Sequence, residues 1–254
     1  MCCFYFIGRA CGWGLHELTF LSYVVQYVSQ LASRPSAARE MPSCALGGDA
    51  EKRRSVERDY EAYALDGGDG RRNWYDRVHT WGYTPELLSS LGLAEEAHGK
   101  LFAAACGGGC PLLLSEGSPP SKDEVVVDLG CGAGHDCLLA ARMVGAGGRV
   151  IGVDLTNAML DRAARNVEEF GGKQSERADV ELRRGLLDDG TDLAGVVQAN
   201  IADLVVSNGV FNLTTDKAAA FRSAYRVLKP GGRFQLCDVC KVSCCDENAR
   251  VTAT

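Results

Sequence analysis

The stretch that most constrains this chain is Val125-Val-Val-Asp-Leu-Gly-Cys-Gly-Ala-Gly-His-Asp136. Val125 to Leu129 is a short β-branched run, long enough for one buried strand. Gly130, Gly132 and Gly134 come next, at alternate positions. Without side chains there, the backbone can turn sharply and come close to a ligand. Cys137 to Val144 is apolar on nearly every face, which suits a helix buried against a sheet. A strand, a glycine turn and a helix make a cradle in which backbone N–H groups at the helix start meet a ligand's polar groups.

The spacing narrows the ligand. A dinucleotide fingerprint runs G-x-G-x-x-G. Here the glycines fall as G-x-G-x-G, and an acid, Asp128, precedes them inside the strand. A carboxylate at that place repels a pyrophosphate and attracts a cationic amino group. The next strand, Arg149 to Val153, runs into Asp154, which lies 24 residues beyond Gly130 and is placed to accept both hydroxyls of a ribose. An acid for an amine, a tight glycine turn and an acid for a ribose describe S-adenosylmethionine better than a nicotinamide dinucleotide.

The rest of the chain supplies the frame. Val150 to Asp154, Val180 to Arg184, Asp203 to Asn208 and Arg233 to Val239 read as further strands. They alternate with helices, one of them from Asn157 to Phe170 with Leu160, Ala163, Ala164 and Val167 on its apolar face. Such alternation predicts an α/β fold with a doubly wound, mostly parallel sheet. Ligands in such sheets bind at the carboxyl ends of the strands, where Gly130, Asp154, Leu187 and Asn208 all fall. The expected cofactor-binding residues are Asp128, Gly130, Gly132, Gly134, Asp136, Asp154, Leu155, Leu187 and Asn208. Each also has a structural reading. Asp128 could cap the turn, Asp136 and Asp154 could serve helix starts, Leu187 could be a core leucine and Asn208 could hold a turn. His135 is expected at the surface, and Cys137 as a packed thiol.

With 254 residues the chain can hold one α/β domain with extensions, and a net charge of −6 argues against non-specific nucleic-acid binding. Its twelve cysteines are irregularly spaced, which suits reduced thiols in a cytoplasmic enzyme. Cys237, Cys240, Cys244 and Cys245 lack the second pair or histidine of a zinc pattern, so no metal site is assigned. Residues 1–40 form an apolar N-terminal segment, read as disordered or as preceding a true start at Met41; an organellar transit segment is the alternative. Leu18 to Ser33 is too short and too polar to span a membrane. Residues 41–121 are expected as a helical lid and substrate-loop region. The cofactor-binding domain occupies 122–240, with a tail over 241–254.

As a set, Asp128-Leu-Gly-Cys-Gly-Ala-Gly134, Asp154 and Leu228-Lys-Pro-Gly-Gly232 resemble the class I S-adenosylmethionine-dependent methyltransferases over about residues 122 to 240. Within that group the chain resembles the arsenite methyltransferase family. The resemblance is carried by Gly134-His-Asp-Cys137, Arg149-Val-Ile-Gly-Val-Asp-Leu-Thr156, Val206-Ser-Asn-Gly-Val-Phe-Asn-Leu213 with Asp216-Lys217, and Cys237-Asp238-Val239. It implies a Rossmann-like fold, methyl transfer to a metalloid such as trivalent arsenic, and an external thiol reductant. It also implies a substrate thiolate at Cys110 or, alternatively, Cys106. Two departures stand out. Gly209 occupies the place of a family substrate cysteine, and glycine offers no soft ligand. Only 15 residues come after Val239, too few for the two further strands usual in the class, which leaves Arg233 to Val239 as an expected bare sheet edge. A small-molecule methyltransferase of other specificity and an inactive cofactor-binding protein are the alternative readings.

Overall fold

The computed structural model describes residues 2–9, 49–65, 82–102, 104–105, 109–113 and 118–240. Five strands lie parallel: β2 (Val125–Leu129), β3 (Arg149–Asp154), β4 (Asp179–Arg184), β5 (Ala202–Asn208) and β6 (Leu228–Cys240). Across the sheet they run β6-β5-β2-β3-β4. The chain therefore builds outward from β2 in one direction and then returns to build on β2's other side. The crevice at that reversal, between the carboxyl ends of β2 and β5, is where such sheets bind ligands.

One expectation is corrected. The outer edge of β6 is not bare, because β1 (Cys2–Arg9) pairs with it antiparallel, from Cys2 opposite Cys240 to Arg9 opposite Arg233. Main-chain hydrogen bonding to a strand edge does not depend on sequence distance. The covering strand comes from the far N-terminal side of the sheet, not from residues C-terminal to β6. Residues 10–48 and the tail from 241 lie outside the described residues.

Among the described residues, six helices accompany the sheet: α1 (Asp49–Leu65), α2 (Pro85–Ser90), α3 (Glu95–Leu101), α4 (His135–Val144), α5 (Asn157–Phe170) and α6 (Lys217–Val227). α4 begins directly after Gly134, and eight of its ten residues are buried. Its length is thus set by the glycine turn before it and Gly145 after it. The buried face of α5 is Met159, Ala163, Asn166 and Phe170, rotated from the expected one, with Ala164 exposed. The polar member decides the rotation: Asn166 donates from Nδ2 to the Ala133 carbonyl at 2.8 Å, tying α5 to the glycine turn. Asp216 caps α6 by accepting from the Ala219 N–H at 2.9 Å.

Each face of the sheet carries its own core. On one face Leu138, Leu139 and Val144 of α4 pack with Tyr83, Leu88, Leu101, Phe102 and Leu112, so residues from both sides of position 121 share one apolar cluster. On the other face Phe211, Phe221 and Phe234 form an aromatic group with ring centroids 4.7 to 6.1 Å apart. No described helix is long and apolar enough to cross a membrane.

Candidate active site

The glycine turn sets the floor of the site. Gly130, Gly132 and Gly134 have φ of 78°, 51° and 79°, a left-handed region that costs other residues about 1–2 kcal/mol. Their surroundings differ. A β-carbon at Gly130 would stand 2.2 Å from Val210 Cγ2, and one at Gly134 would stand 2.8 Å from Ala163 Cβ. A β-carbon at Gly132 would meet open space. Gly130 and Gly134 therefore allow close packing, while Gly132 keeps the backbone open toward a ligand. The turn is pinned from β3: the Gly130 and Cys131 N–H groups donate to the Val153 carbonyl at 2.7 and 3.0 Å.

Above this floor a cleft opens at the carboxyl ends of the strands, where such sheets bind ligands. Asp128, Gly130, Gly132, Asp136, Asp154, Leu155, Leu187 and Asn208 line it. Gly134 does not: it sits behind the turn against Ala163 of α5. Leu187 serves both readings, since it lines the cleft and belongs to the core beneath β5.

Three carboxylates give the cleft its character. Asp128 is 2 % exposed and accepts from the Cys137 thiol at 3.3 Å. Burial, with the nearby Asp136 and Asp154, pushes its carboxyl well above the usual range. Asp154 accepts from the Gly132 N–H at 2.9 Å on one oxygen, and from the Thr156 N–H and hydroxyl at 2.9 and 3.1 Å on the other. Burial nevertheless raises it above its ordinary value, against those hydrogen bonds. Acids pressed together in this way attract a ligand that brings positive charge.

The opposite wall is held by a residue outside every sequence motif of the site. Tyr83, 1 % exposed, donates its hydroxyl to Asp136, whose carboxylate oxygens lie at 2.8 and 3.0 Å. Asn208 donates from Nδ2 to the Tyr83 oxygen at 2.8 Å and to the Gly109 carbonyl at 2.6 Å. Burial and Asp136 drive the Tyr83 hydroxyl well above its usual value, so it remains a donor. His135 is also buried, contrary to the expected exposure. Its ring packs between Tyr83 and Phe102 at centroid distances of 5.5 and 5.1 Å, and its Nε2 lies 3.4 Å from Asp136 Oδ2. The covering rings come from far away in sequence, so no local pattern announced them.

The expected substrate thiol stands apart. Cys110 is 4 % exposed and packs in the core below Tyr83 rather than on the cleft wall. Burial and Asp136 push its thiol far up, so it is protonated at neutral pH. Cys106 lies outside the described residues. The mouth is walled by α1, another contribution missed in the sequence. Arg53, Val56 and Tyr60 face the cleft, and Arg53 pairs with Asp188 at 3.4 Å. Burial raises the Asp188 carboxyl, but Thr215, Asp216 and Arg53 outweigh it and hold the group below its ordinary value. The α1 sequence is mostly polar and carries no local pattern that points inward.

The cleft thus has an open glycine backbone, a close acid group and an acid at the end of β3. These features fit the amino group, sulfonium and ribose of S-adenosylmethionine. A family described as a methyltransferase domain matches residues 120–253, more than half of the chain. The chain belongs to this methyltransferase family. S-adenosylmethionine is the cofactor of that family, and the residues present suit it. The arsenite methyltransferase of Halobacterium salinarum is 39 % identical over 142 residues, which is 54 % of this chain and 34 % of the relative. The Homo sapiens arsenite methyltransferase is 34 % identical over 135 residues, covering 52 % and 34 %. A ubiquinone/menaquinone biosynthesis C-methyltransferase of an Enterobacter species is 34 % identical over 124 residues, covering 47 % and 44 %. Among solved structures, an arsenic(III) S-adenosylmethionine methyltransferase from Chlamydomonas reinhardtii is 33 % identical with a TM-score of 0.48, covering 61 % of this chain and 48 % of that one. The chain spans about a third of the length of the curated arsenite methyltransferases it matches.

Proposed function

We propose that this methyltransferase transfers a methyl group from S-adenosylmethionine to a soft nucleophile, with trivalent arsenic as the acceptor. The observation that carries the transfer reaction is the set of three acids, Asp128, Asp136 and Asp154, around an open glycine turn. When bound, S-adenosylmethionine supplies a methyl carbon already made electrophilic by its sulfonium, so the protein's task is alignment. Asp128 and Asp136 hold the cationic amino end, and Gly132 lets the backbone approach it. Asp154 takes the ribose hydroxyls, and Leu155 and Leu187 flank the base. Asn208, locked by Tyr83 and Asp136, fixes the wall on which the acceptor rests.

The arsenic assignment is supported by the relatives. An external thiol completes the chemistry by keeping the arsenic trivalent. A cytoplasmic setting, where thiols stay reduced, suits this chemistry; Cys110, Cys131, Cys137 and Cys237 carry no disulfide. One observation favours a second reading, transfer to a carbon acceptor: Gly209 lines the cleft with no soft ligand at all.

Calorimetry tests the cofactor first. S-adenosylmethionine should bind and NAD should not, and Asp154→Ala should weaken binding by about 1.5–3 kcal/mol, the scale of hydrogen bonds involving a charged group. Unaltered affinity in a folded Asp154→Ala chain removes the ribose assignment. Turnover of arsenite with a thiol then separates arsenic from a carbon acceptor.

A further inference from the structure

The helix at the cleft mouth, α1, is fastened in two unlike ways along its length. We propose that α1 is a hinged strap over the cleft: its C-terminal half stays seated, its N-terminal half lifts when the Arg53–Asp188 and Glu57–Arg184 pairs open, and this motion sets the rate of S-adenosylmethionine exchange. The proposal rests on the placement of the cofactor's base between Leu155 and Leu187. It concerns a part of the chain outside the matched family segment, since α1 spans Asp49–Leu65 and the segment residues 120–253.

The C-terminal half of α1 is seated by packing. Tyr60, Tyr63 and Ala64 cluster with Ala133 of the glycine turn, Met159 of α5 and Ala104. Arg162 of α5 adds a hydrogen bond to the Ala64 carbonyl at 3.0 Å. Parting such a cluster exposes apolar area to water.

The N-terminal half is held by polar ties. Arg53 donates from Nη2 to the Asp188 carbonyl at 2.8 Å, and its Nε lies 3.4 Å from the Asp188 carboxylate. Lys52 donates to the Thr214 carbonyl at 3.3 Å. Arg184, the last residue of β4, donates to Glu57 at 2.6 Å and to the Leu155 carbonyl at 2.9 Å. Leu155 is thus joined to the strap through Arg184, and Leu187 is the chain neighbour of Asp188. The polar half of α1 therefore closes on the same loops that flank the base. Water reaches both ion pairs, since the side chains of Arg53 and Glu57 are 30 % exposed and that of Arg184 is 53 % exposed. A pair of this exposure holds by a factor of only about two to five, so the ties open far more readily than the seat.

A tie that does not touch the ligand changes the open fraction equally in the free and the loaded chain, so exchange rates move and affinity does not. Glu57 and Arg184 meet this condition, because neither lines the cleft.

The test uses the full chain and radiolabelled S-adenosylmethionine. Rapid mixing and filtration give the association rate, and a chase with excess sinefungin gives the dissociation rate. Glu57→Gln should raise both rates about two- to fivefold, with affinity nearly unchanged. Arg53→Met should do the same, and the two together should raise both rates about tenfold. Added salt should speed exchange more in the parent than in this double variant. Arg58→Gln removes an exposed pair with Asp59 on the same helix and should leave both rates at the parent's values. Calorimetric affinity reports folding in every variant. Parent rates in folded Glu57→Gln and Arg53→Met overturn the strap and make α1 a fixed wall. Faster release without faster entry overturns it as well, by making these side chains ligand contacts. A parent chain that binds no S-adenosylmethionine removes the cofactor reading itself, and the strap with it.

Discussion

On the β2–β3 side of the cleft, polar groups face the ligand with their needs incompletely met: Asp128 has one thiol donor, its carboxyl is pushed upward, and Gly132 leaves the backbone bare. On the β5–β6 side, Tyr83, Asn208 and the Gly109 carbonyl satisfy one another, and both side chains also bond to Asp136, the acid shared by the two sides. The first side is arranged to be completed by a charged ligand. The second is complete before any ligand arrives and serves as a rigid, soft-edged wall. A ligand should accordingly change the energetics of the first side strongly and those of the second little.

The largest expected effect separates the packing glycine from the open one. Gly130→Ala drives a β-carbon into Val210 in addition to its left-handed strain, and should cost about 3 kcal/mol of stability together with cofactor binding. Gly132→Ala carries the strain alone, about 1–2 kcal/mol. Equal losses in urea denaturation would break the distinction between them.

Next comes the wall. Tyr83→Phe removes one buried hydrogen-bond partner from Asp136 and one from Asn208, and should lose about 1–3 kcal/mol in urea denaturation. This cost should be nearly the same with and without S-adenosylmethionine. If saturating cofactor removes it, Tyr83 belongs with the responsive side and the comparison fails.

The pH profile probes the responsive side directly. Asp128 and Asp154 are both raised in the folded chain, so the folded state binds more protons than the unfolded one across the interval between the two values. Their contribution to stability is full below the ordinary aspartate range and is lost as pH rises through the folded values. The cofactor-free chain should therefore weaken on raising the pH from about 4, and saturating S-adenosylmethionine should flatten that decline. Asp128→Asn should also flatten it while weakening the cofactor. A decline as steep in Asp128→Asn as in the parent would assign the effect to other groups.

The smallest effect is expected at the mouth. Arg53 is partly exposed, so Arg53→Met should change stability by no more than about 1 kcal/mol and reduce the salt dependence of cofactor binding. A larger loss of affinity, measured by calorimetry, would make α1 part of the binding wall rather than its cover.

The legible parts of this chain were those where neighbours in sequence do the work. The run from Val125 through the glycine turn into α4, the five parallel strands and the placement of Asp128 and Asp154 at their ends all come from local period and spacing. The parts that escaped are built from distant segments. Tyr83 and Phe102 bury His135, α1 walls the mouth and β1 covers β6, and none of these leaves a mark on the residues it touches. Asn166 escaped for a different reason. It is polar and falls outside the apolar face expected for α5, but a carbonyl in the glycine turn makes its burial favourable. Gly134 and Gly130 look alike in sequence, and only Ala163 behind one and the cleft beside the other tell them apart.

The β1–β6 pairing also imposes an order of events on synthesis. Residues 2–9 leave the ribosome long before their partners at 233–240. At about 5–20 residues per second, the earlier strand remains unpaired for more than ten seconds. During that interval it is a loose, apolar segment able to meet other chains. The five parallel strands and their helices can assemble without it, and the antiparallel ladder joins after them, across the longest sequence separation in the sheet.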